Sequence, residues 1–395
     1  MAFHSFERMH VLHIVNFLEA DDRKGGVARA TELLARAQAR IGAHVTVFTT
    51  KSSLDGKRLD SEPENREGVS VHLFPTRPGS RFFFSSALSQ ACLRRVKEFD
   101  IVHTHGLWSF PGTWGARVAH WAHVPCVISP QGMLNDWAMQ FRAYKKIPYW
   151  YAVERRTIGG AAWIHFATEE EQLQAKAWIA RKKSKVIPIG LDLQEFGALP
   201  ARGEFRDRYK IPRDVPVLAF LGRIHPIKGL SVLLEALARV KAEIPELILA
   251  VAGPDENGHR SGLERLAQNL GVEGRVRWLG TIEEQAKQGF LVDADLLVLP
   301  SFSENFGLAA VEAMAIGCPV IVGRGVNIAS QVEAYGAGWV VPTEAETLAS
   351  AIVEALRNPE SRQAAGKAGQ RLVADRYDGE AVAREMLKAY EECLL

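Results

Sequence analysis

Short apolar runs rich in β-branched residues recur along the whole chain, separated by amphipathic stretches, and this alternation decides what the chain can fold into. In the first half the runs are HVLHIVNF (10–17), HVTVFTT (44–50), VSVHLFP (69–75), DIVHTHG (100–106), PCVISP (125–130), WIHFAT (163–168) and KVIPIG (185–190). In the second they are VPVLAFLG (215–222), LILAVAG (247–253), RVRWLG (275–280), ADLLVLPS (294–301), CPVIVG (318–323) and GWVVP (338–342). Between them lie segments such as ARATELLARAQARIG (28–42) and GLSVLLEALARVKAEI (229–244), with apolar residues at helical spacing. Strands that are apolar on both faces and alternate with helices belong to parallel sheets covered on both sides. The predicted fold class is therefore α/β. Two such series fit two Rossmann-like, doubly wound domains facing across a cleft better than one very large sheet.

The strand signals pause in VIPIGLDLQEFGALPARGEF, where Pro and Gly accumulate, so the boundary is placed there: an N-terminal domain over 1–194 and a C-terminal domain over 195–377. The stretch 378–395, DGEAVAREMLKAYEECLL, reads as a helix expected to pack back on the first domain. Four widely spaced cysteines with no CxxC pair argue against a disulfide framework or a zinc site. No apolar run approaches the roughly 20 residues that span a bilayer. The opening segment lacks the basic flank and small-residue cleavage site of a signal peptide, so a cytoplasmic location is expected. Net charge is only +2, which disfavours a nucleic-acid binder. It is unevenly divided: residues 1–195 hold 26 Lys+Arg against 19 Asp+Glu, and residues 196–395 hold 22 against 27. The basic first half suits an anionic acceptor or a membrane surface.

Ligands of open parallel sheets sit beyond the carboxyl ends of the strands, so residues just after strands carry most information. Ser301-Phe302-Ser303-Glu304-Asn305-Phe306-Gly307-Leu308 follows LLVLP and opens a helix that contains Glu312 and stops at Gly317. A glycine in a strand-to-helix turn lets a ligand approach the backbone, and the first-turn amides suit a phosphate or a sugar oxygen. Glu304 before the turn and Glu312 eight residues on can accept hydrogen bonds from two parts of a polyol ligand; a capping acid and a solvated glutamate would share this spacing. Gly222-Arg223 and Lys228 follow the first strand of the second half. A planar arginine fork and a lysine point charge five residues apart can clamp a diphosphate, and would equally serve as surface cations near a helix start.

SENFGLAAVEAMAIGCPVIV resembles the E-x7-E signature of the retaining, glycogen-synthase-like glycosyltransferases of family 4, which have the GT-B fold. Gly25-Gly26-Val27, Gly222-Arg223, Lys228-Gly229, Ala252-Gly253-Pro254 and Arg277-Trp278-Leu279-Gly280 stand in that family's order over about 360 residues. The resemblance implies a nucleotide-diphosphate sugar as donor, with Glu312 on the ribose and Glu304 and the amides of Asn305, Phe306, Gly307 and Leu308 on the sugar and its phosphate. Arg223 and Lys228 would support the leaving diphosphate in place of a metal. No cofactor and no metal are then expected. Asp293-Ala294-Asp295 matches the DxD pattern by which other glycosyltransferases bind manganese, but it leads straight into a strand and is expected to be structural. Arg277 to Thr281 would shape the base and sugar pocket.

In the first half, Gly25 and Gly26 would close over the donor phosphates from a helix N-terminus, with the polar Asp21–Lys24 segment as a lid. His103 is expected to be a satisfied core histidine, whereas His105, before Gly106, is expected to face the cleft as an acceptor or sugar contact. Gln131 stands where many family members carry a histidine, and it can orient a substrate but not exchange charge. The mixed basic and aromatic stretch 137–156 suits either an anionic membrane interface or a helix buried by its aromatics. ISPQGML resembles bacterial members that build surface polysaccharides, which points to a glycan or lipid-linked acceptor. A nucleotide-sugar epimerase and a non-catalytic assembly subunit of the same fold remain as alternatives.

Overall fold

The computed structural model describes residues 6, 8–18, 25–52, 62–76, 82–179 and 181–394. The chain divides into two compact units, one of residues 1–192 and 377–395, the other of residues 193–376.

The first unit is built on an eight-stranded sheet: β1 (His10–Ile14), β2 (His44–Ser52), β3 (Glu64–Arg66), β4 (Val69–Thr76), β5 (Ile101–His105), β6 (Cys126–Ser129), β7 (Trp163–Phe166) and β8 (Ser184–Val186). Its spatial order is β3-β4-β2-β1-β5-β6-β7-β8. Every pairing is parallel except the β3–β4 hairpin at one edge, which the sequence pattern did not signal because β3 (ENR) is polar and partly or fully exposed. Residues of β1, β5, β6 and β7 are buried on both faces, which explains why these strands read as continuous apolar runs. One face is closed by the helix Gly379–Glu391, whose Val382, Met386, Leu387 and Tyr390 pack with Val11, Val45, Ile101 and Trp163. Asp378 caps this helix by accepting from the Ala381 N–H at 3.3 Å. The entry is tight: a Cβ on Gly379 would lie 2.6 Å from the Leu191 carbonyl oxygen, while the Leu191 N–H donates to Tyr377 O at 2.7 Å and the Gly379 N–H to Leu191 O at 2.8 Å.

The second unit has six parallel strands: β9 (Val217–Leu221), β10 (Ile248–Ala252), β11 (Val276–Gly280), β12 (Leu296–Leu299), β13 (Val320–Gly323) and β14 (Gly338–Val341). Their order is β11-β10-β9-β12-β13-β14, so the strand order reverses between β9 and β12. That switch point is where a doubly wound sheet opens a crevice at its carboxyl edge. The helix Leu230–Val240 packs its Leu233, Leu234 and Leu237 under β9 and β10, and the helix Leu308–Ile316 follows β12. Among the described residues no helix is long and apolar enough to cross a membrane.

Candidate active site

In the second unit, the segments leaving β9 and β12 are pressed together. After β9, Gly222 and Arg223 lead into the short turn Pro226–Lys228, which His225 caps by accepting from the Ile227 N–H at 3.2 Å. Gly229 then sits at φ +71°, and a Cβ there would lie 2.1 Å from the Pro300 carbonyl oxygen at the end of β12. Only glycine permits that contact. The Phe302 N–H donates to the Ile227 carbonyl at 2.8 Å and fixes the two loops in register. Lys228 is thereby carried onto Glu304: its Nζ donates to Glu304 Oε2, with the side chains 14% and 19% exposed.

Glu304 is held by its own backbone. Its N–H donates to Gly325 O at 2.9 Å, and its carbonyl accepts from the Asn327 N–H at 3.0 Å. Gly307, at φ +84°, starts the helix Leu308–Ile316 with no side-chain cap; the Ala310 N–H donates to Gly307 O at 2.8 Å, while the Leu308 and Ala309 amides have no acceptor among the described residues. Beside them Phe306 is buried, and the buried Asn305 Oδ1 has no hydrogen-bond partner among the described residues. Glu312 lies just over one turn into this helix, buried, and accepts at 2.7 Å from Lys287 Nζ of the helix Glu284–Asp293. Arg223 pairs through Nη1 with Glu256 Oε2, and both side chains are open to solvent. Lys287 and Glu256 carry no signal in the sequence, because each meets its partner through space from a separate element.

The three loops after β9, β10 and β11 are linked in turn, the Gly222 N–H donating to Ala252 O at 2.9 Å and the Gly253 N–H to Gly280 O at 2.8 Å. Thr281, next in line, is exposed at this carboxyl edge. Arg277 belongs at the other end of β11. Its Nη1 donates to Gly274 O at 2.8 Å, which corrects the expectation that it shapes the same pocket. Asp293 and Asp295 also lie at the amino end of their strand. Asp293 accepts from the Gly203 N–H at 2.5 Å and the Arg206 N–H at 3.0 Å. Asp295 accepts from the Val217 N–H at 2.9 Å and pairs with Arg206 at 3.1 Å and Arg202 at 3.0 Å. Five backbone or guanidinium donors thus saturate the pair, and it serves the fold.

In the first unit, Gly25 is the N-cap of the helix Gly26–Arg40, again without a capping side chain. A Cβ on Gly26 would meet no atom within 4 Å, so packing does not demand glycine there. The expected lid, Asp21–Lys24, lies outside the described residues. Gln131 follows β6 at φ +55°, a left-handed backbone that non-glycine residues rarely adopt. The strain is braced by Glu171, which accepts from the Gly132 N–H at 2.5 Å and the Ala167 N–H at 2.8 Å, tying the loops after β6 and β7. Glu154 plays the same part after β5, where it accepts from the Trp108 N–H (φ +61°) at 3.0 Å and from Thr113 Oγ1 at 2.9 Å. Burial raises its pKa, and these two hydrogen bonds oppose the rise. Neither acid stood out in the sequence.

His105 requires a correction. Its ring is not directed into an open cleft but is buried, 1% exposed, among histidines. His13 Nε2 donates to Gln38 Oε1 at 2.7 Å, and His13 Nδ1 shares a 2.9 Å hydrogen bond with His105 Nε2. His103 Nδ1 lies 2.6 Å from Tyr390 Oη, and His165 Nε2 donates to Ile187 O at 2.8 Å. Burial pushes His13 and His165 down to about 4 and holds His103 and His105 well below the usual histidine range. Ligand nitrogens of His13, His103 and His105 lie within 4.8 Å of one another, but the group contains no carboxylate or thiolate to offset a buried dication. The reason the sequence misled is that β5 is buried on both faces, so position along IVHTH does not distinguish an inner from an outer histidine.

The basic and aromatic stretch divides. Trp150 and Met139 are core residues, whereas Trp137, Phe141, Tyr144 and Tyr151 are 47%, 59%, 73% and 60% exposed. Arg142 lies over Phe141 at 5.0 Å, Lys145 over Tyr144 at 5.5 Å and Arg155 over Tyr151 at 5.9 Å.

Residues 201–372 match the family "Glycosyl transferases group 1" and residues 25–190 match "Glycosyl transferase 4-like domain". The D-inositol 3-phosphate glycosyltransferase of Thermobispora bispora is 28% identical to the chain, the match covering 91% of this chain and 88% of that one. Among solved structures, sucrose-phosphate synthase from Thermosynechococcus elongatus has a TM-score of 0.82 at 23% identity, covering 98% of this chain and 99% of its own. Anabaena Alr3699/HepE, solved in complex with UDP and glucose, has a TM-score of 0.78 at 19% identity, covering 98% and 100%. With these two domains on two parallel sheets of the GT-B type, the chain belongs to the group 1, family 4-like glycosyltransferases.

Proposed function

We propose that this enzyme moves a hexose-type sugar from a nucleotide-diphosphate sugar to a growing glycan or lipid-linked acceptor in polysaccharide biosynthesis, with retention at the anomeric carbon and without a metal ion. The observation that carries this reading is the cluster at the carboxyl edge of β9 and β12, where Lys228, Glu304 and the uncapped amides after Gly307 converge. A departing nucleoside diphosphate gains negative charge as its bond to the sugar breaks. Lys228, Arg223 and peptide N–H groups aimed at that position lower the barrier electrostatically. Glu304 would accept from sugar hydroxyls and Glu312 from the ribose. In a front-face transfer the acceptor oxygen bonds to the anomeric carbon as the carbon–phosphate oxygen bond breaks, and the acceptor proton passes to the departing phosphate oxygen. Gly25, Gly26 and Gln131 would contribute from the first domain.

The acceptor reading is supported by the exposed Phe141, Tyr144 and Tyr151, each paired with a cation. An apolar ring beside a positive charge suits the headgroup region of an anionic membrane, where a lipid-linked acceptor resides. We place the enzyme in the cytoplasm, peripheral at the inner membrane face. HepE was solved with UDP and glucose, so UDP-sugars are tested first.

Thermal shift against UDP-, GDP-, ADP- and dTDP-sugars in the presence of EDTA tests the donor: one nucleotide should stabilise far more than the rest. Nuclear magnetic resonance of the product then reads the anomeric configuration. Turnover abolished by the chelator, or a sugar altered with no acceptor present, would refute the proposal; the second result would identify an epimerase.

A further inference from the structure

Glu312 is an anomaly in its own helix. Leu308–Ile316 reads LAAVEAMAI, and Glu312 is its one charged residue, set among the buried Ala310, Val311, Ala313 and Met314. A carboxylate in such a place is costly unless paired, and a buried ion pair is in turn poor evidence of a stabilising role, because apolar residues of similar volume generally do as well. The partner is Lys287, with the two side chains only 12% and 6% exposed. Lys287 takes Oε1 at 2.7 Å, and Oε2 makes no hydrogen bond among the described residues. The lysine therefore holds one oxygen of the carboxylate and leaves the other presented.

We propose that Lys287 is a positioning residue for the donor's ribose: by fixing Glu312 Oε1 it orients Oε2 toward the ribose hydroxyls. This rests on the reading of Glu312 as the ribose contact. Lys287 would touch neither the sugar nor the diphosphate, so its loss should appear in donor affinity rather than in the rate of the bound complex. An aligned hydrogen bond to a charged group separates ligands with and without the hydroxyl by about tenfold or more.

The test is titration of the full chain with UDP against 2′,3′-dideoxy-UDP, with the GDP and ADP pairs in parallel, for wild type, K287M, K287Q, K287R, E312Q and the double variant K287M/E312Q. Wild type should prefer the ribonucleotide by about tenfold or more. K287M and K287Q should reduce that preference to within about threefold while kcat at saturating donor changes less than about threefold, and K287R should restore most of the preference. In the E312Q background, K287M should cause no further loss, since it acts only through the glutamate. A folded K287M or K287Q protein that keeps the full preference, whatever its Tm, overturns the proposal and leaves Lys287 a mere charge partner. An E312Q protein that keeps it overturns the ribose reading itself, and the two failures are told apart by which variant shows them.

Discussion

Asp293→Ala separates a structural acid from a metal ligand by magnitude. The Asp293 side chain is buried, and its two oxygens accept from the backbone N–H groups of Gly203 and Arg206, which open the helix Glu204–Arg208. Removing the carboxylate strands two buried donors, each costing about 1–3 kcal/mol, for a total of about 2–5 kcal/mol. In a unit the size of residues 193–376, each kcal/mol lowers Tm by about 2–4 °C, so the transition of this unit should fall by about 5–15 °C. Differential scanning calorimetry of the full chain, with and without manganese, measures it. Well below the lowered Tm, the folded variant should turn over at close to the wild-type rate, because the carboxylate lies at the amino end of β12, a strand's length from Glu304. A variant with unchanged Tm but turnover lost and recovered by manganese would refute the reasoning outright.

Arg223→Ala should slow transfer by about 10–1000-fold with little change in donor KM, as expected for a group acting on the leaving diphosphate; Glu312→Ala should instead weaken nucleotide binding, and initial-rate kinetics over a donor series distinguishes the two. Stability should fall as pH drops from about 6.5 toward 4. His13 and His165 are held near 4 when folded against 6.5 unfolded, so the unfolded chain binds more protons in that window. Each contributes about 2 kcal/mol lost between pH 7 and pH 5, and urea midpoints across that range should show a shallower slope for His165→Gln. Replacing Phe141 and Tyr144 by Ser should reduce binding to vesicles containing anionic lipid by about tenfold or more, and added salt should weaken wild-type binding; co-sedimentation at two ionic strengths reads both.

The fold was readable because its decisive signal is local. β9, β10, β12 and β13 lie inside sheets, so each appears as an apolar run whatever its neighbours. The Glu304-to-Glu312 segment was readable for the same reason, since strand, turn and helix are contiguous in one stretch of chain. What the sequence concealed comes from elsewhere in the chain. Lys287 reaches Glu312 from the preceding helix, and Glu154 and Glu171 brace the left-handed residues Trp108 and Gln131 from helices dozens of residues away. Glutamates and lysines in helices are common, and nothing local marks the few that turn inward. His105 was misjudged because strand periodicity loses its meaning once both faces are covered.

The seam at Leu191, Tyr377 and Gly379 bears on the order in which the protein can be made. A ribosome delivers residues 6–192 first, yet the face of their sheet that Tyr390 and Met386 occupy stays open until the second unit has been translated through to residue 376 and the helix beyond it emerges. The half synthesised earliest is therefore the half completed latest, while the second unit, contiguous over residues 193–376, waits for no later segment. Nascent chains stalled before residue 377 should present an uncovered apolar sheet face to chaperones, and truncations in the closing helix should damage the front of the molecule rather than the back.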